Sequence, residues 1–337
     1  MNTEGNGVRN DHVMRPDYES GGAVPTVSVV IPVYRAALTL RELYSQLSTT
    51  MPQVASKFEI IFVEDCGGDE SWSIIADLSA ADPRVRGIRM SRNYGQHNAL
   101  LCGIRAARHD VVITMDDDLQ HPVSEIAPLL AALGPDVDVV YGAPQDEQHG
   151  LLRNAASRLT KLALASAMGA ETARNVSAFR AFRTRLRDGF CDYRSPTVSI
   201  DVLLTWTTAR FTTIKVRHDP RSAGVSGYKV TRLIRYAIDL MTGFSTLPLQ
   251  ISSFIGFALV LFGVVILAWV VANFLINGSE VPGFAFLASV IAIFSGAQLF
   301  ALGIIGEYLA RMHFRTMDRP TYLVSETAAC DGADGRS

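Results

Sequence analysis

Apolar and polar positions alternate along this chain in two rhythms. Residues 27–33 (VSVVIPV), 59–63 (EIIFV), 86–90 (RGIRM), 111–115 (VVITM) and 137–141 (VDVVY) are short runs rich in β-branched residues, and each predicts a buried strand. The segments between them turn helical in pattern, most clearly at 98–107 and 125–133. Strand and helix in alternation, joined by right-handed crossovers, predict an α/β fold with a mostly parallel, Rossmann-like sheet. From residue 251 the rhythm changes. Residues 251–276 and 284–306 are apolar on every face, and each is longer than the roughly 20 residues needed to cross a bilayer. They predict two transmembrane helices.

Two further stretches are amphipathic. At 153–168, Leu159, Leu162, Ala163 and Met168 oppose Arg153, Arg158 and Lys161. At 229–244, Leu233, Ile234, Ala237, Leu240 and Met241 mix with Lys229, Arg232 and Arg235 just before the first span. Either stretch suits the headgroup plane. The expected layout is a disordered tail at 1–24, an α/β domain at 25–228, an interfacial helix at 229–250, a two-helix membrane domain at 251–306 and a C-terminal segment at 307–337. The polar residues after Ser325 are expected to be disordered. The loop at 277–283 has no Lys or Arg, whereas Arg232 and Arg235 precede the spans and Arg311, Arg315 and Arg319 follow them. Positive-inside bias then places the α/β domain and both termini in the cytoplasm.

The 337 residues are 48% hydrophobic with a formal net charge of -2, a balance that argues against a nucleic acid partner. Cys66, Cys102, Cys191 and Cys330 lack C-x-x-C spacing, so they indicate neither a zinc site nor a disulfide framework.

The chemistry concentrates at 111–122, VVITMDDDLQHP, where a buried strand ends in three aspartates. Adjacent carboxylates repel one another, and a cation relieves that repulsion. Asp116 and Asp118, two apart at a strand end, can bracket one Mg²⁺ or Mn²⁺ while a diphosphate supplies further oxygens. Gln120 can add a carbonyl ligand. Ligands of such sheets bind off the carboxyl ends of the strands. Pro32 and Tyr34, Glu64 and Asp65, Arg92 and the aspartates all fall there. Neither G-x-G-x-x-G after the first strand nor G-x-x-x-x-G-K-[ST] occurs, so a nucleotide is held by other means.

On these residues the chain resembles the family 2 glycosyltransferases of GT-A fold. More narrowly it is similar to the polyprenyl-phosphate glycosyltransferases: dolichol-phosphate mannose synthases, GtrB-type glucosyltransferases and ArnC-type aminoarabinose transferases. The matching segments are VSVVIPVY at Val27, FEIIFVEDCGGDES at Phe58, SRNYGQHNALLCGI at Ser91, MDDDLQHP at Met115, SAFRAFR at Ser177, HDPRSAGVSGY at His218 and GEYLAR at Gly306. The resemblance implies that Asp116, Asp118 and Gln120 form the metal group, and that Pro32, Tyr34, Glu64 and Asp65 form the nucleoside pocket. Arg92 and Asp116 are expected to join that nucleotide pocket. Arg153 and Ser157, four apart on one helix face, match a phosphate-holding pair, and Arg221 matches an arginine over the reacting phosphates. Asp118, Arg153, Ser157 and Arg221 are thus the expected catalytic set. His97, His121 and His218 lack zinc spacing and are read as structural or supporting.

The resulting expectation is inverting, metal-dependent transfer of a sugar from a nucleotide-diphosphate sugar, UDP-linked, to the phosphate of a polyprenyl-phosphate lipid. The resemblance also implies a homotetramer in a bacterial plasma membrane. Two rivals stand beside it. A phosphatase of the haloacid dehalogenase type also carries D-x-D after a strand, but its usual Thr or Val is Gln120 here. The other is a membrane-tethered nucleotide-sugar binder without turnover.

Overall fold

The computed structural model describes residues 24–144, 176–195, 198–219, 244, 246–277, 284–317 and 319–330. Arg153, Ser157 and Arg221 lie outside the described residues, as do both amphipathic stretches apart from Phe244. Among the described residues eight strands form one sheet: β1 (Thr26–Val33), β2 (Lys57–Glu64), β3 (Val85–Met90), β4 (Val111–Thr114), β5 (Val139–Pro144), β6 (Arg180–Arg183), β7 (Phe211–Val216) and β8 (Val324–Ala328). Their spatial order is β7-β5-β6-β4-β1-β2-β3-β8. The β4-β1-β2-β3 block is parallel throughout, whereas β6 runs antiparallel between β4 and β5.

Burial of both sheet faces explains why the strands read as continuous apolar runs rather than alternating ones. On one face Val29, Ile31, Ile60 and Phe62 pack under α1 (Leu40–Val54) and α2 (Ser71–Ala81). The apolar residues of α1, Leu40, Leu43, Leu47, Met51 and Val54, recur at three- and four-residue spacing and are all buried. On the other face Val30, Ile61 and Phe182 pack under α3 (Gln96–Ala106) and α5 (Ile200–Thr205). Helix α3 can approach this closely because of Gly103, where a Cβ would come 2.4 Å from Val30 Cγ1. Between these helices in sequence, α4 (Ile126–Ala131) follows a single 3-10 turn (Val123–Glu125) and buries Ile126, Leu129 and Leu130.

Helices α6 (Leu247–Asn277) and α7 (Phe284–Thr316) include two stretches long and apolar enough to cross a membrane, with mean hydropathy of 2.9 and 1.4. Phe254, Phe257 and Leu275 are widely exposed on α6, leaving an apolar surface that no described part of the protein covers. The two helices pack on each other, and Gly263 lets the Phe294 ring come close.

After α7 the chain returns to the sheet. Val324–Ala328 pairs antiparallel with β3, Gly87 opposite Ala328 and Met90 opposite Val324. This corrects the expectation that residues after Ser325 are disordered: Ser325, Glu326, Thr327 and Ala328 are strand residues. A five-residue stretch this polar can be a strand because it lies on the sheet edge, largely exposed, where pairing rather than burial holds it. Helices α6 and α7 therefore run out and back, leaving β8 on the same side as the rest of the sheet.

Candidate active site

The site sits where β1, β2 and β4 end. Strand β4 stops at Thr114, and the next residues, Met115 to His121, form a loop whose Leu119 adopts φ 62°. A leucine rarely takes that left-handed conformation, and such strain gathers at functional loops. Within the loop Asp118 Oδ1 accepts the Gln120 N–H at 3.2 Å, and Gln120 O accepts the Asp219 N–H at 2.9 Å. Gln96 Nε2, from the start of α3, donates to Asp116 Oδ1 at 2.7 Å. Asp116 and Asp118 thus lie on one short, partly exposed loop whose shape is held from two sides.

The middle aspartate does different work. Asp117 Oδ2 accepts the Tyr34 N–H at 3.1 Å, and Asp117 O accepts the Thr39 hydroxyl at 2.6 Å. Burial, followed by the charges of Asp116 and Asp118, pushes the Asp117 carboxyl up to about 7, against the pull of the Tyr34 amide.

The residues expected at the nucleoside pocket lie at the ends of β1 and β2 and just after β3, and the acids among them face inward. Pro32 is buried within β1, while Tyr34 is 46% exposed at the strand end with the Arg35 guanidinium over its ring. Glu64 Oε1 accepts the Gly67 N–H at 2.6 Å, and its Oε2 lies 3.3 Å from Arg89. A Cβ at Gly67 would sit 2.8 Å from Arg35 N, so only glycine lets the β1 and β2 loops meet. Both Asp65 oxygens accept backbone N–H groups, from Tyr94 and Gly95, each at 2.7 Å. Burial nevertheless raises the Asp65 carboxyl. Glu64 and Asp65 therefore fix the loops that follow β2 and β3. Arg92 is exposed and stacks over the Tyr94 ring at 4.7 Å.

Two histidines also reach this region. His121 stacks on Phe179, ring centroids 5.2 Å apart, and meets His218 edge-on at 5.1 Å. Burial first, then His218, brings His121 down to about 4, and its Nδ1 is buried without a hydrogen-bond partner. Spacing alone gives no sign of this, because 97 residues separate His121 and His218 in sequence and only the return of the chain after β7 joins them.

The donor chemistry fits Mg²⁺ or Mn²⁺. Hard carboxylate oxygens of Asp116 and Asp118 suit these ions, and His121, whose Nδ1 is buried without a hydrogen-bond partner, feels the charge of Asp118. Among the described residues no three His, Cys, Asp or Glu side chains form a closed cage. Mg²⁺ is commonly held by one or two carboxylates, with substrate phosphates completing its ligands.

Comparison with known proteins supplies the family. The model for "Glycosyl transferase family 2" matches residues 28–190. An undecaprenyl-phosphate 4-deoxy-4-formamido-L-arabinose transferase of Pseudomonas fluorescens (strain SBW25) is 35% identical over 305 residues, 89% of each chain. The protein of the same name from Shewanella sediminis (strain HAW-EB3) is 33% identical over 313 residues, covering 92% of this chain and 94% of that one. A solved mycobacterial protein superposes with a TM-score of 0.51 at 17% identity, covering 65% of this chain and 75% of that chain, a likeness of fold alone. With the GT-A sheet, the acidic loop and full-length relatives in agreement, the chain belongs to glycosyl transferase family 2, among its polyprenyl-phosphate glycosyltransferases.

Proposed function

We propose that this glycosyltransferase moves a sugar from a UDP-linked donor to the phosphate of a polyprenyl-phosphate lipid, with inversion, on the cytoplasmic face of a bacterial plasma membrane. The observation that carries the reading is Asp116 and Asp118 on one loop at the sheet's carboxyl edge, in a chain with two membrane-length helices. The relatives' names support the acceptor, since both specify undecaprenyl phosphate.

Asp116 and Asp118 would hold Mg²⁺ or Mn²⁺, which when bound neutralises the charge of a leaving diphosphate. Tyr34, Arg92 and the loops fixed by Glu64 and Asp65 would receive the nucleotide. Arg153, Ser157 and Arg221 are assigned to phosphate oxygens from the resemblance; an arginine fork suits such oxygens and offsets developing charge. A lipid phosphate is already anionic at neutral pH and needs no strong base, so positioning carries much of the rate. The out-and-back membrane hairpin supports the same reading: it keeps the active domain at the surface where the acceptor phosphate lies. A homotetramer is the assembly we assign from the resemblance.

The test is to incubate the full chain in lipid nanodiscs with polyprenyl phosphate, Mn²⁺ or Mg²⁺, and a panel of labelled nucleotide sugars. Label is expected in the lipid phase, falling about 100-fold or more in Asp118→Ala and on adding EDTA. Labelling unchanged by both removes the metal assignment. Phosphate release without sugar transfer identifies a phosphatase instead, and UDP binding without any transfer identifies a binder.

A further inference from the structure

A buried ion pair lies directly beneath the acidic loop. Arg180 is 1% exposed and Asp201 4%, and Arg180 Nη1 contacts Asp201 Oδ1. Thr114, Arg180 and Tyr141 are register partners across β4, β6 and β5, so their side chains share one sheet face. Arg180 Nε donates to Thr114 Oγ1 at 3.0 Å, Thr114 Oγ1 donates to Ala178 O at 2.7 Å, and the Tyr141 hydroxyl donates to Asp201 Oδ1 at 3.0 Å. This polar row crosses a face that is otherwise packed with apolar side chains. Burying two charges is costly, and apolar residues of similar volume often serve stability as well or better. Stability alone is therefore a poor reason for the pair to sit here.

Its neighbours supply a better one. Thr114 is two residues before Asp116. Phe179, next to Arg180, carries the ring on which His121 stacks at the far end of the acidic loop. Ile200, next to Asp201, donates its N–H to His97 Nδ1 at 3.4 Å, and the adjacent Gln96 donates to Asp116 Oδ1. The network thus reaches the loop at its start, at the Asp116 carboxylate and at His121.

We propose that the Arg180–Asp201 pair, acting through Thr114, Phe179 and the His97–Gln96 step, is a positioning device that sets the carboxylates of Asp116 and Asp118 for a metal-bound nucleoside diphosphate. Arg180 and Asp201 are buried beneath the loop, and the role given to them is one of positioning, not of contact with substrate. This role rests on the metal-dependent reading given above.

The experiment measures Mn²⁺-dependent UDP affinity by calorimetry on the full chain in nanodiscs, with thermal midpoints and lipid-acceptor kinetics alongside. Thr114→Val keeps the shape of a β-branched strand residue and leaves the ion pair in place. Arg180→Met with Asp201→Leu replaces the pair by apolar groups. The double variant is expected to keep a thermal midpoint near that of the parent, and Thr114→Val to lose a few degrees because Arg180 Nε is left without its buried acceptor. Both are expected to lose about ten-fold in Mn²⁺-dependent UDP affinity and to leave the KM for polyprenyl phosphate unchanged. Arg180→Lys, which keeps a cation beside Asp201, is expected to lose less affinity than the double variant. Thr114→Val decides the matter if the double variant fails to fold. Parent-like UDP affinity in Thr114→Val overturns the positioning role while leaving the proposed function intact. An affinity loss that tracks an equal loss of thermal stability and of acceptor KM overturns it too, as plain structural damage. If the parent itself shows no Mn²⁺-dependent UDP binding, the metal-dependent reading fails and takes this role with it.

Discussion

The Asp117 carboxylate accepts the backbone N–H of Tyr34 at 3.1 Å, tying the middle of the acidic loop to the end of β1. Between two residues suited to hold a cation stands one that holds the neighbouring loop. Asp117→Ala is therefore expected to act through nucleotide binding, raising the KM for the nucleotide sugar about ten-fold, as loss of a supporting contact typically does. Asp117→Asn keeps an acceptor oxygen for Tyr34 and should lose less. Steady-state kinetics on the two variants checks this, and equal effects of both would show that charge, not the Tyr34 contact, matters at this position.

Strand β8 contributes the sheet's outer pairing to β3, with Leu323 O accepting the Ser91 N–H at 2.9 Å and Glu326 facing Arg89 at 3.5 Å. Ending the chain after Leu323 exposes β3 as an edge. The thermal midpoint of the truncated protein is expected to fall by about 5 °C, as a loss of one to two kcal/mol does in a domain of this size. Differential scanning fluorimetry of both proteins in the same detergent reads the shift. An unchanged midpoint means that the pairing adds nothing to stability.

The parallel half of the sheet was legible because its strands are buried on both faces and read as apolar runs, from 27–33 in β1 to 111–115 in β4. Strand β6 was hidden: RAFR places two arginines in four residues, and only the partners of Arg180, Asp201 and Thr114, make its burial intelligible. Strand β8 was hidden for the opposite reason, since an exposed edge needs no apolar signal. Asp116 and Asp118 could be picked out from the strand that precedes them. The proximity of His121 and His218, and the Asp117–Tyr34 link, depend on contacts between segments distant in sequence, which spacing does not encode.

Stability should fall as the solution is acidified below neutrality. His97 is buried, and burial holds its imidazole down to about 4 from an ordinary value of 6.5. The unfolded chain binds a proton there near pH 6.5 while the folded chain does not, so the contribution is complete above pH 6.5 and is lost progressively toward pH 4. For this histidine the loss is at most about 3 kcal/mol. His121, held down similarly, adds to the slope, whereas Asp138, held low against its burial by Arg210, Thr208 and Arg185, acts only below about pH 4. Urea unfolding between pH 7 and 4.5 should show a shallower pH dependence for His97→Asn than for the parent. Parallel curves would mean that His97 takes up its proton equally well in the folded chain.

Gln96 offers a way to vary the charge at Asp116 without touching an aspartate. Its amide nitrogen lies 2.7 Å from Asp116 Oδ1. Gln96→Ala removes that donor and frees the carboxylate to turn, so kcat should fall while the half-activating Mn²⁺ concentration stays the same or rises. Gln96→Glu instead sets a second carboxylate against Asp116, a repulsion that a proton or a cation relieves. Turnover should fall here too, because Asp116 loses its hydrogen bond. Mn²⁺ affinity should move the other way, with half-activation at about three- to ten-fold lower concentration, the scale of one added charge near the surface. Titrating Mn²⁺ against sugar transfer in the parent and both variants separates the two effects. A half-activating concentration shared by all three would place the cation away from Asp116.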